Sequence, residues 1–421
     1  MERYSEYKDS GISWIGKVPK HWVTYRFATL CKTISICDCI NEELLSVFLD
    51  RGVIRFSDDE NRRTNPTSKD LSKYQLVEPG DFVLNNQQAW RGSVGVSNYR
   101  GIVSPAYFVF KLSPELNREF ANYMFRSRNY VASYCVCSKG IGSIQRNLDW
   151  GQLKQRNMFL PPLAEQEKIV SYLERKTSKI DAYVADKEKE IQLLQELKQE
   201  TIAEAVTKGL NPDVKMKDSG ISWIGMIPEH WEVKKIGSLF MERREKVSDK
   251  DYPALSVSKQ GITPQLETAV KTDNGDNRKK VCKDDFVVNS RSDRKGSCGV
   301  SPYTGSVSLI NIVLSPRNNI EVQYFHHLFR SNDYIEEYYR IGRGIVADLW
   351  TTRYSEMRNI MVPLPPLDEQ QSIVAYIEEK CQKIDTLITE LQAEIDYLKE
   401  YKQRLIADVV TGQVNVQNET I

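Results

Sequence analysis

The sequence predicts an α+β protein in which two pseudo-symmetric, mixed α/β domains are separated by a pair of long antiparallel coiled-coil helices. Three observations predict this fold. The chain repeats itself after about 205 residues, each copy mixes short β-like runs with turns and a late helix, and each copy ends in a long segment without Gly or Pro. We therefore divide the chain into a first domain (1–160), a first long helix (161–208), a second domain (209–364), a second long helix (365–412) and a tail (413–421).

The repeat is defined by motifs that recur in the same order. Asp9–Gly16 recurs identically as Asp218–Gly225, and each copy continues into Pro-x-His-Trp, at 19–22 and at 228–231. Phe-Arg-Ser and Pro-Pro-Leu-x-Glu-Gln motifs follow in both copies at an offset of 204 residues. Two copies of this length are too few and too long for a solenoid, so they indicate two similar bodies, each followed by a similar connector. Because His and Trp recur in both copies, we interpret them as structural rather than catalytic.

Each body combines strand-like and helix-like segments. The bodies span 20–160 and 229–364. In the first of them, Phe82–Leu84 and Tyr107–Phe110 are typical of buried strands, and 117–134 is predicted to be one helix.

The two connectors are predicted to be long helices. Residues 164–207 and 368–411 contain no Gly or Pro, begin just after a Pro-Pro pair, and end before Gly209 and Gly412. Alternating steps of three and four from Ile377 meet an apolar residue at nine of ten positions, which is a coiled-coil seam, and the first helix has a weaker seam in the same register. Pairing of the two helices with each other is the most economical arrangement. Docking of one or both on another protein is the alternative.

The length of these helices suggests a spacer. Each would be about 66 Å long at 1.5 Å per residue, and antiparallel pairing would place the bodies at opposite ends. A separation of this order corresponds to one or two turns of B-DNA, at roughly 34 Å each.

Charge is distributed unequally along the chain. The segment 164–207 carries ten acidic and seven basic residues, and 368–411 carries ten and five, so the helices have net charges of −3 and −5 and leave +9 for the rest of a chain whose total is +1. A basic body can neutralise phosphates, whereas an acidic rod suits a protein partner. Glu-rich helices are also common simply because they are soluble.

Several function classes lack their sequence signals. No run of eighteen apolar residues appears, the N-terminus has no secretory pattern, and the eight cysteines lack ligand spacing, so we expect a cytoplasmic protein with free thiols and no bound metal. No G-x-x-x-x-G-K-[S/T] phosphate loop exists, and both Pro-Pro pairs are followed by Leu rather than by the Tyr or Phe of an adenine methyltransferase motif. Four histidines give no convincing acid–base set, so the chain is expected to be non-enzymatic.

The motifs quoted above resemble those of specificity subunits of Type I restriction–modification systems. The D-S-G-I-S-W-I-G-x-x-P-x-H-W opening of each half and the P-P-L-x-E-Q-x-x-I-V segment before each long helix occur in the family's order over essentially the whole chain. The resemblance implies two target-recognition domains, each reading one half of a split duplex DNA target, with helices that set the spacing. It also implies docking of two modification (methyltransferase) subunits and of restriction subunits. S-adenosylmethionine, ATP and Mg are then expected on these partners and no cofactor in this chain.

The two halves share a framework and differ in two stretches. Different loops on one scaffold are what a protein would need in order to read two different half-sites. Residues 85–91 and 289–295 occupy the first divergent position, and 139–147 and 343–348 the second. The first pair of stretches is rich in side chains that hydrogen-bond base edges, since Arg pairs with guanine and Asn or Gln with adenine. Ordinary drift of surface loops is the alternative. The candidate DNA-binding residues here are Asn86, Gln87, Gln88, Arg91, Lys139, Gln145, Arg146, Arg291, Arg294, Lys295 and Arg343.

Other basic residues are predicted to contact phosphates rather than bases. They are Arg62, Arg63 and Lys69 in the first body, and Arg243, Arg244, Arg278, Lys279 and Lys280 in the second. Three alternatives remain open at this point: an enzyme with an unfamiliar active site, a coiled-coil adaptor without a DNA role, and a silent or recombining specificity copy.

Overall fold

The protein is an α+β chain built from two repeated domains, as predicted. The computed structural model describes residues 2–58, 70–140, 146–265, 275–317, 319–344 and 350–418. It divides into two compact units, one comprising Met1–Lys187 with Ala393–Ile421 and the other Glu188–Gln392. The division runs through both long helices, so each unit contains one body and a part of each helix.

The first unit is built around a four-stranded antiparallel sheet of order β4-β11-β8-β9. Its strands are β1 Tyr7–Asp9, β2 Lys17–Pro19, β3 Val23–Arg26, β4 Cys31–Ile34, β5 Leu45–Phe48, β6 Gly52–Arg55, β7 Gln75–Val77, β8 Phe82–Asn85, β9 Val94–Val96, β10 Gly101–Val103, β11 Tyr107–Leu112, β12 Ser138–Lys139, β13 Asn147–Leu148 and β14 Asn157–Leu160. Its helices are α1 Phe27–Leu30, α2 Arg118–Arg126, α3 Arg128–Val136, α4 Trp150–Leu153 and the start of α5 Leu163–Lys208, with 3-10 turns at Phe56–Asp58 and Ala89–Arg91. The sheet packs on α2 through stacked rings, with the centroids of Phe82 and Phe125 4.2 Å apart.

The second unit repeats this architecture around the sheet β18-β26-β23-β24. Its strands are β15 Met216–Asp218, β16 Met226–Pro228, β17 Glu232–Lys235, β18 Phe240–Glu242, β19 Lys246–Val247, β20 Leu255–Ser258, β21 Gly261–Pro264, β22 Arg278–Val281, β23 Phe286–Asn289, β24 Cys298–Val300, β25 Gly305–Val307, β26 Asn311–Pro316 and β27 Met361–Leu364. Its helices are α6 Ile236–Leu239, α7 Val322–Arg330, α8 Asn332–Arg340, α9 Tyr354–Met357 and the start of α10 Leu367–Val410, with a 3-10 turn at Ser292–Arg294. The pair Phe286 and Phe329 takes the place of Phe82 and Phe125, with centroids 5.0 Å apart.

The single helix predicted for 117–134 is wrong, because two helices separated by an extended residue lie there. Asn117 caps α2 by accepting a hydrogen bond from the Phe120 backbone N–H. Ser127 then ends α2, since its hydroxyl donates to the Met124 carbonyl at 2.8 Å and its backbone is extended. Ser331 does the same in the second unit, which explains why Phe-Arg-Ser recurs.

The long helices are confirmed, and they run antiparallel within each unit. In the first unit, ammonium–carboxylate contacts join Lys402 to Asp181 and Lys187 to Glu394, so residue numbers rise on one helix as they fall on the other. In the second unit, Lys198 contacts Asp385, and Ala205 further along α5 shares a core cluster with Ile377 nearer the start of α10, so the direction is again antiparallel. All ten predicted seam positions of each helix are buried or half-buried, as a coiled-coil seam requires. The end of α10 also enters the first unit's core through Leu405 and Val409.

A glutamate in each unit, buried at Glu165 and half-buried at Glu369, links the two shared motifs. The Glu165 carboxylate, at the start of α5, accepts hydrogen bonds from Trp22 Nε1 at 3.0 Å and contacts His21 Nε2 at 2.8 Å. Glu369 contacts Trp231 and His230 at the same distances. These contacts give the Pro-x-His-Trp motif a structural role, because they fix the body to the first turn of its helix.

The glycine that ends α10 is required by its conformation and by its surroundings. Gly412 has φ +73°, a left-handed value that favours Gly after a helix. A Cβ added there would collide with the ring of Pro19 and lie 3.2 Å from Trp22. The Pro-x-His-Trp motif of the first unit therefore packs closely against the C-terminal end of α10.

Candidate nucleic-acid interface

The two divergent stretches of the first body lie side by side in the structure. The backbone N–H of Leu148 donates to the backbone oxygen of Asn86 at 3.2 Å and to its side-chain oxygen at 3.0 Å. The guanidinium carbon of Arg146 lies 4.9 Å from the centre of the Trp90 ring, and that of Arg91 lies 5.7 Å from it. Two stretches with 47 residues between them in the sequence thus form one surface at the end of β8.

The second body brings its divergent stretches together in the same way. The Thr352 N–H donates to the Ser290 oxygen at 3.0 Å, which is the equivalent of the Leu148–Asn86 contact. Bridges also join Thr351 to Arg291 and to Arg343. The shared framework therefore positions both divergent stretches at the end of the corresponding strand, β23.

A third segment joins this surface in each unit, and sequence reasoning missed it. It is the turn 104–106 between β10 and β11, and its counterpart 308–310 between β25 and β26. The backbone N–H of Asn86 donates to the backbone carbonyl of Ala106, and the Ser290 hydroxyl donates to the backbone carbonyl of Ile310 at 2.5 Å. The side chains at these turns differ between the units, with Pro105-Ala106 in one and Leu309-Ile310 in the other. The sequence does carry a signal for this segment, because it differs between two shared strands, but the side chains that differ are aliphatic and lack the hydrogen-bonding groups that mark the other two stretches.

The predicted base-contacting residues differ in how available they are. Gln87, Arg91, Lys139, Arg291, Arg294 and Arg343 are exposed, whereas Asn86, Gln88, Arg146 and Lys295 are half-buried. The side-chain oxygen of Asn86 is used within the protein, so Gln87 is the exposed amide of the first stretch. Gln145 lies outside the described residues.

Most of the basic groups in the divergent stretches contact an acidic neighbour. Lys139 contacts Asp149 at 2.6 Å, and Lys295 contacts Glu336 at 2.5 Å. Asp293 lies 3.1 Å from Arg291 and 3.8 Å from Arg294, and Arg343 lies 3.9 Å from Glu356. These cations are thus held in place near the surface before any ligand binds.

Among the predicted phosphate contacts, the role predicted for Arg278 does not agree with the structure. It begins β22 with 5% of its surface exposed, and its guanidinium donates to the hydroxyl and the carbonyl of Ser306. Burial lowers the pKa of Arg278 from its usual range. A side chain with these internal contacts is not available to a phosphate.

The remaining predicted phosphate contacts are partly committed to internal ion pairs. Arg243 makes a two-point contact with the buried Asp285, which raises its pKa, and Lys279 contacts Glu242 at 3.1 Å. Lys280 contacts Glu245 at 2.9 Å, and Arg244 is 77% exposed beside Glu242. Arg244 is therefore the most accessible of this group. Arg62, Arg63 and Lys69 lie outside the described residues.

In the second unit two of these segments border an open cleft of about 520 Å³. Its lining includes Ser290 from the first divergent stretch and Leu309 and Ile310 from the turn, together with the basic side chains of Arg244, Lys246, Lys279 and Arg353. A concave surface with basic walls beside variable segments suits nucleic acid, which has a uniformly anionic backbone and base edges that differ in chemistry.

Comparison with known proteins identifies the family. The profile of the type I restriction modification DNA specificity domain matches residues 19–193 and 228–397, one match in each half. The chain belongs to this family, which confirms both the predicted resemblance and the predicted role as a DNA-specificity subunit.

Individual relatives agree over most of the chain. A putative type I restriction enzyme MjaX specificity subunit of Methanocaldococcus jannaschii is 26% identical over 377 residues, covering 83% of this chain and 81% of the relative. The type I restriction enzyme EcoKI specificity subunit of Escherichia coli K12 is 23% identical, with 96% and 91% covered. A solved chain from a study of assembly and conformational transition in the type I R-M system has a TM-score of 0.67 at 16% identity, with 94% of this chain and 99% of that chain covered, which supports the fold.

Within the part of the chain that the structure describes, no helix has both the length and the apolar character needed to cross a bilayer.

Proposed function

We propose that this chain reads a bipartite duplex DNA target, one half-site per unit, and carries no catalytic activity of its own. The observation that supports this most directly is the convergence of three sequence-divergent segments on the end of an equivalent strand in each unit. Drift of surface loops would not place the differences at one location on both copies. Different side chains on one scaffold can recognise different bases, whereas phosphate contacts alone cannot.

We further propose that the long helices dock two modification subunits, with restriction subunits joining the assembly. Large apolar side chains are exposed at equivalent positions of α5 and α10: Leu193 with Tyr397, Leu197 with Tyr401, and Tyr183 with Leu387. Leu193 is 55% exposed and Tyr397 69%. Exposed apolar groups on an otherwise acidic helix favour a protein partner, and their repetition supports two equivalent docking sites.

In this proposal the chemistry belongs to the partners. S-adenosylmethionine would be bound by the modification subunits, and ATP and Mg by the restriction subunits, in the cytoplasm. The chain would contribute only the choice of sequence and the position of the methyltransferase on it.

The test is methylome sequencing of cells that express this chain with its modification subunit, compared with cells lacking the chain. A new methylated motif of two short blocks around a fixed unspecified gap is the expected result. No new motif despite a purified complex would overturn the proposal for this copy and favour a silent or recombining specificity subunit. Failure of that complex to bind any duplex at moderate salt would instead favour the coiled-coil adaptor.

A further inference from the structure

The turn between β25 and β26 presents an unusual pair of side chains. Leu309 is 40% exposed and Ile310 38% exposed, side by side at the tip of the turn. Single exposed apolar residues are common on protein surfaces. An adjacent aliphatic pair facing a cleft with basic walls is less so, and it indicates a ligand with an apolar feature on a charged background.

The framework holds this tip firmly. The Asn311 N–H donates to the Ser308 carbonyl at 3.0 Å and closes the turn. The Ser290 hydroxyl donates to the Ile310 carbonyl, and Lys279 Nζ donates to the Asn311 carbonyl at 2.8 Å. The backbone is thus fixed from two neighbouring segments, and only the aliphatic side chains are left to face the cleft.

The first unit has the same turn with a different tip. The Tyr107 N–H donates to the Ser104 carbonyl at 3.0 Å, as Asn311 does to Ser308, but the tip residues are Pro105 and Ala106. The turn itself therefore does not require large aliphatic side chains. Their presence in one unit alone is explained if that unit contacts something the other does not.

The charges around the tip indicate what that contact is. Arg244, Lys246 and Arg353 line the cleft and are exposed, and Lys279 lies deeper beside Glu242. Basic side chains attract the phosphate backbone. In the grooves of DNA, the apolar feature that distinguishes one base from the others is the 5-methyl group of thymine.

We propose that Leu309 and Ile310 form a reading tip that contacts thymine methyl groups in the half-site recognised by the second unit. This inference rests on the proposed function and adds a chemical class of contact to it. Direct readout in this unit then combines apolar recognition of thymine with hydrogen bonding from the neighbouring divergent stretches.

The first experiment maps the methylated motif of the full chain with its modification subunit and repeats the map with Leu309→Pro/Ile310→Ala, which installs the tip of the first unit. The variant is expected to relax selectivity for an A·T pair in one block and to leave the other block and the gap unchanged. Tyr303→Ala, a 43% exposed residue in the neighbouring turn of the same unit, is the control and should leave the motif intact. An unchanged motif in the double variant would overturn the proposal.

The second experiment uses duplexes of the mapped target in which thymines of that block are replaced by deoxyuridine, which removes only the methyl group. Binding by the wild-type complex should weaken by about fourfold for each contacted methyl, the amount expected for one buried methyl or methylene group. The double variant should bind both duplexes equally. Equal binding of both duplexes by the wild-type complex would refute the methyl contact.

Two further outcomes separate this inference from the proposed function and from a protein partner. If the wild-type chain gives no bipartite motif, the proposed function is wrong, and the thymine contact of Leu309 and Ile310 is rejected with it. If the double variant loses the modification subunit but the mapped motif and the deoxyuridine effect persist in the residual complex, the tip is a protein contact and the proposal is wrong.

Discussion

His326 makes the stability of the second unit depend on pH in a way that the first unit does not share. The ring of His326 lies on α7, and its Nδ1 accepts a hydrogen bond from the Val300 N–H at 3.1 Å. At the equivalent place in the first unit, Asn122 Oδ1 accepts from the Val96 N–H at 3.2 Å. An amide cannot gain a proton near neutral pH, whereas an imidazole can, and protonation of Nδ1 removes the acceptor.

The environment of His326 opposes protonation. Burial, together with the neighbouring His327 and Arg330, lowers the pKa of His326 to about 3, and burial lowers the pKa of His327 to about 4. Because the unfolded chain takes up these protons below its ordinary pKa of about 6.5 and the folded chain does not, stability is full above pH 6.5. It is lost progressively as pH falls toward the folded pKa values.

The magnitude follows from linkage. At 1.36 kcal/mol per pH unit, each histidine costs about 2 kcal/mol between pH 6.5 and pH 5. The substitution His326→Asn, which copies the first unit, should reduce the loss of stability between pH 7.5 and pH 5 by about 2 kcal/mol. His327 should continue to contribute its own share.

The assay is urea unfolding of the full chain at pH 7.5 and pH 5, with hydrogen–deuterium exchange to locate the effect. Peptides containing Val300 should lose protection at pH 5 in the wild type and keep more of it in His326→Asn, while peptides containing Val96 change little. The matched control Asn122→His should transfer the pH dependence to the first unit. An identical pH dependence in wild type and His326→Asn would refute the reasoning.

Three other expectations are open to direct measurement. Gly412→Ala should cost about 2–3 kcal/mol in thermal or urea unfolding, from the left-handed backbone and the collision with its neighbour, whereas Gly11→Ala, with φ +70° and no atom within 4 Å, should cost only about 1 kcal/mol. Tyr397→Asp and Leu193→Asp should leave folding intact and weaken binding of the modification subunit at least tenfold in a pull-down or calorimetric titration, and unchanged binding would argue against this docking surface. Replacing residues 20–160 by the domain of another family member should change one block of the methylated motif, and changes in both blocks would contradict the modular reading.

The overall fold was largely predictable because repetition and periodicity report on it directly. The seam from Ile377 onward is a pattern of many residues, so the prediction of a helix 44 residues long does not depend on any single one of them. The break at Ser127 was not predictable from the same signals. It depends on one hydroxyl that competes for the Met124 carbonyl, and neither Gly nor Pro marks it.

The candidate site was predictable in position but not in composition. The divergent stretches were found by comparing the halves, and the structure joins them through Leu148 and Asn86. Arg278 was misassigned because Arg-Lys-Lys resembles a basic surface, whereas burial along β22 follows the pattern buried, half-buried, half-buried, buried and hides the first residue. The Ser306 hydroxyl and carbonyl that make this burial tolerable lie 28 residues away in the sequence.

In the proposed recognition of DNA by the divergent stretches, the ion pairs found there can contribute to selectivity. Lys139, Arg291 and Lys295 each contact a carboxylate in the free protein. Exposed pairs of this kind are worth only about 0–1 kcal/mol, so exchanging the carboxylate for a base edge or a phosphate costs little. A wrong base, however, offers no hydrogen bond to replace the broken ion pair. The carboxylate that has lost its partner then lies close to the negatively charged DNA. Discrimination can therefore come from the unfavourable contact as much as from the favourable one.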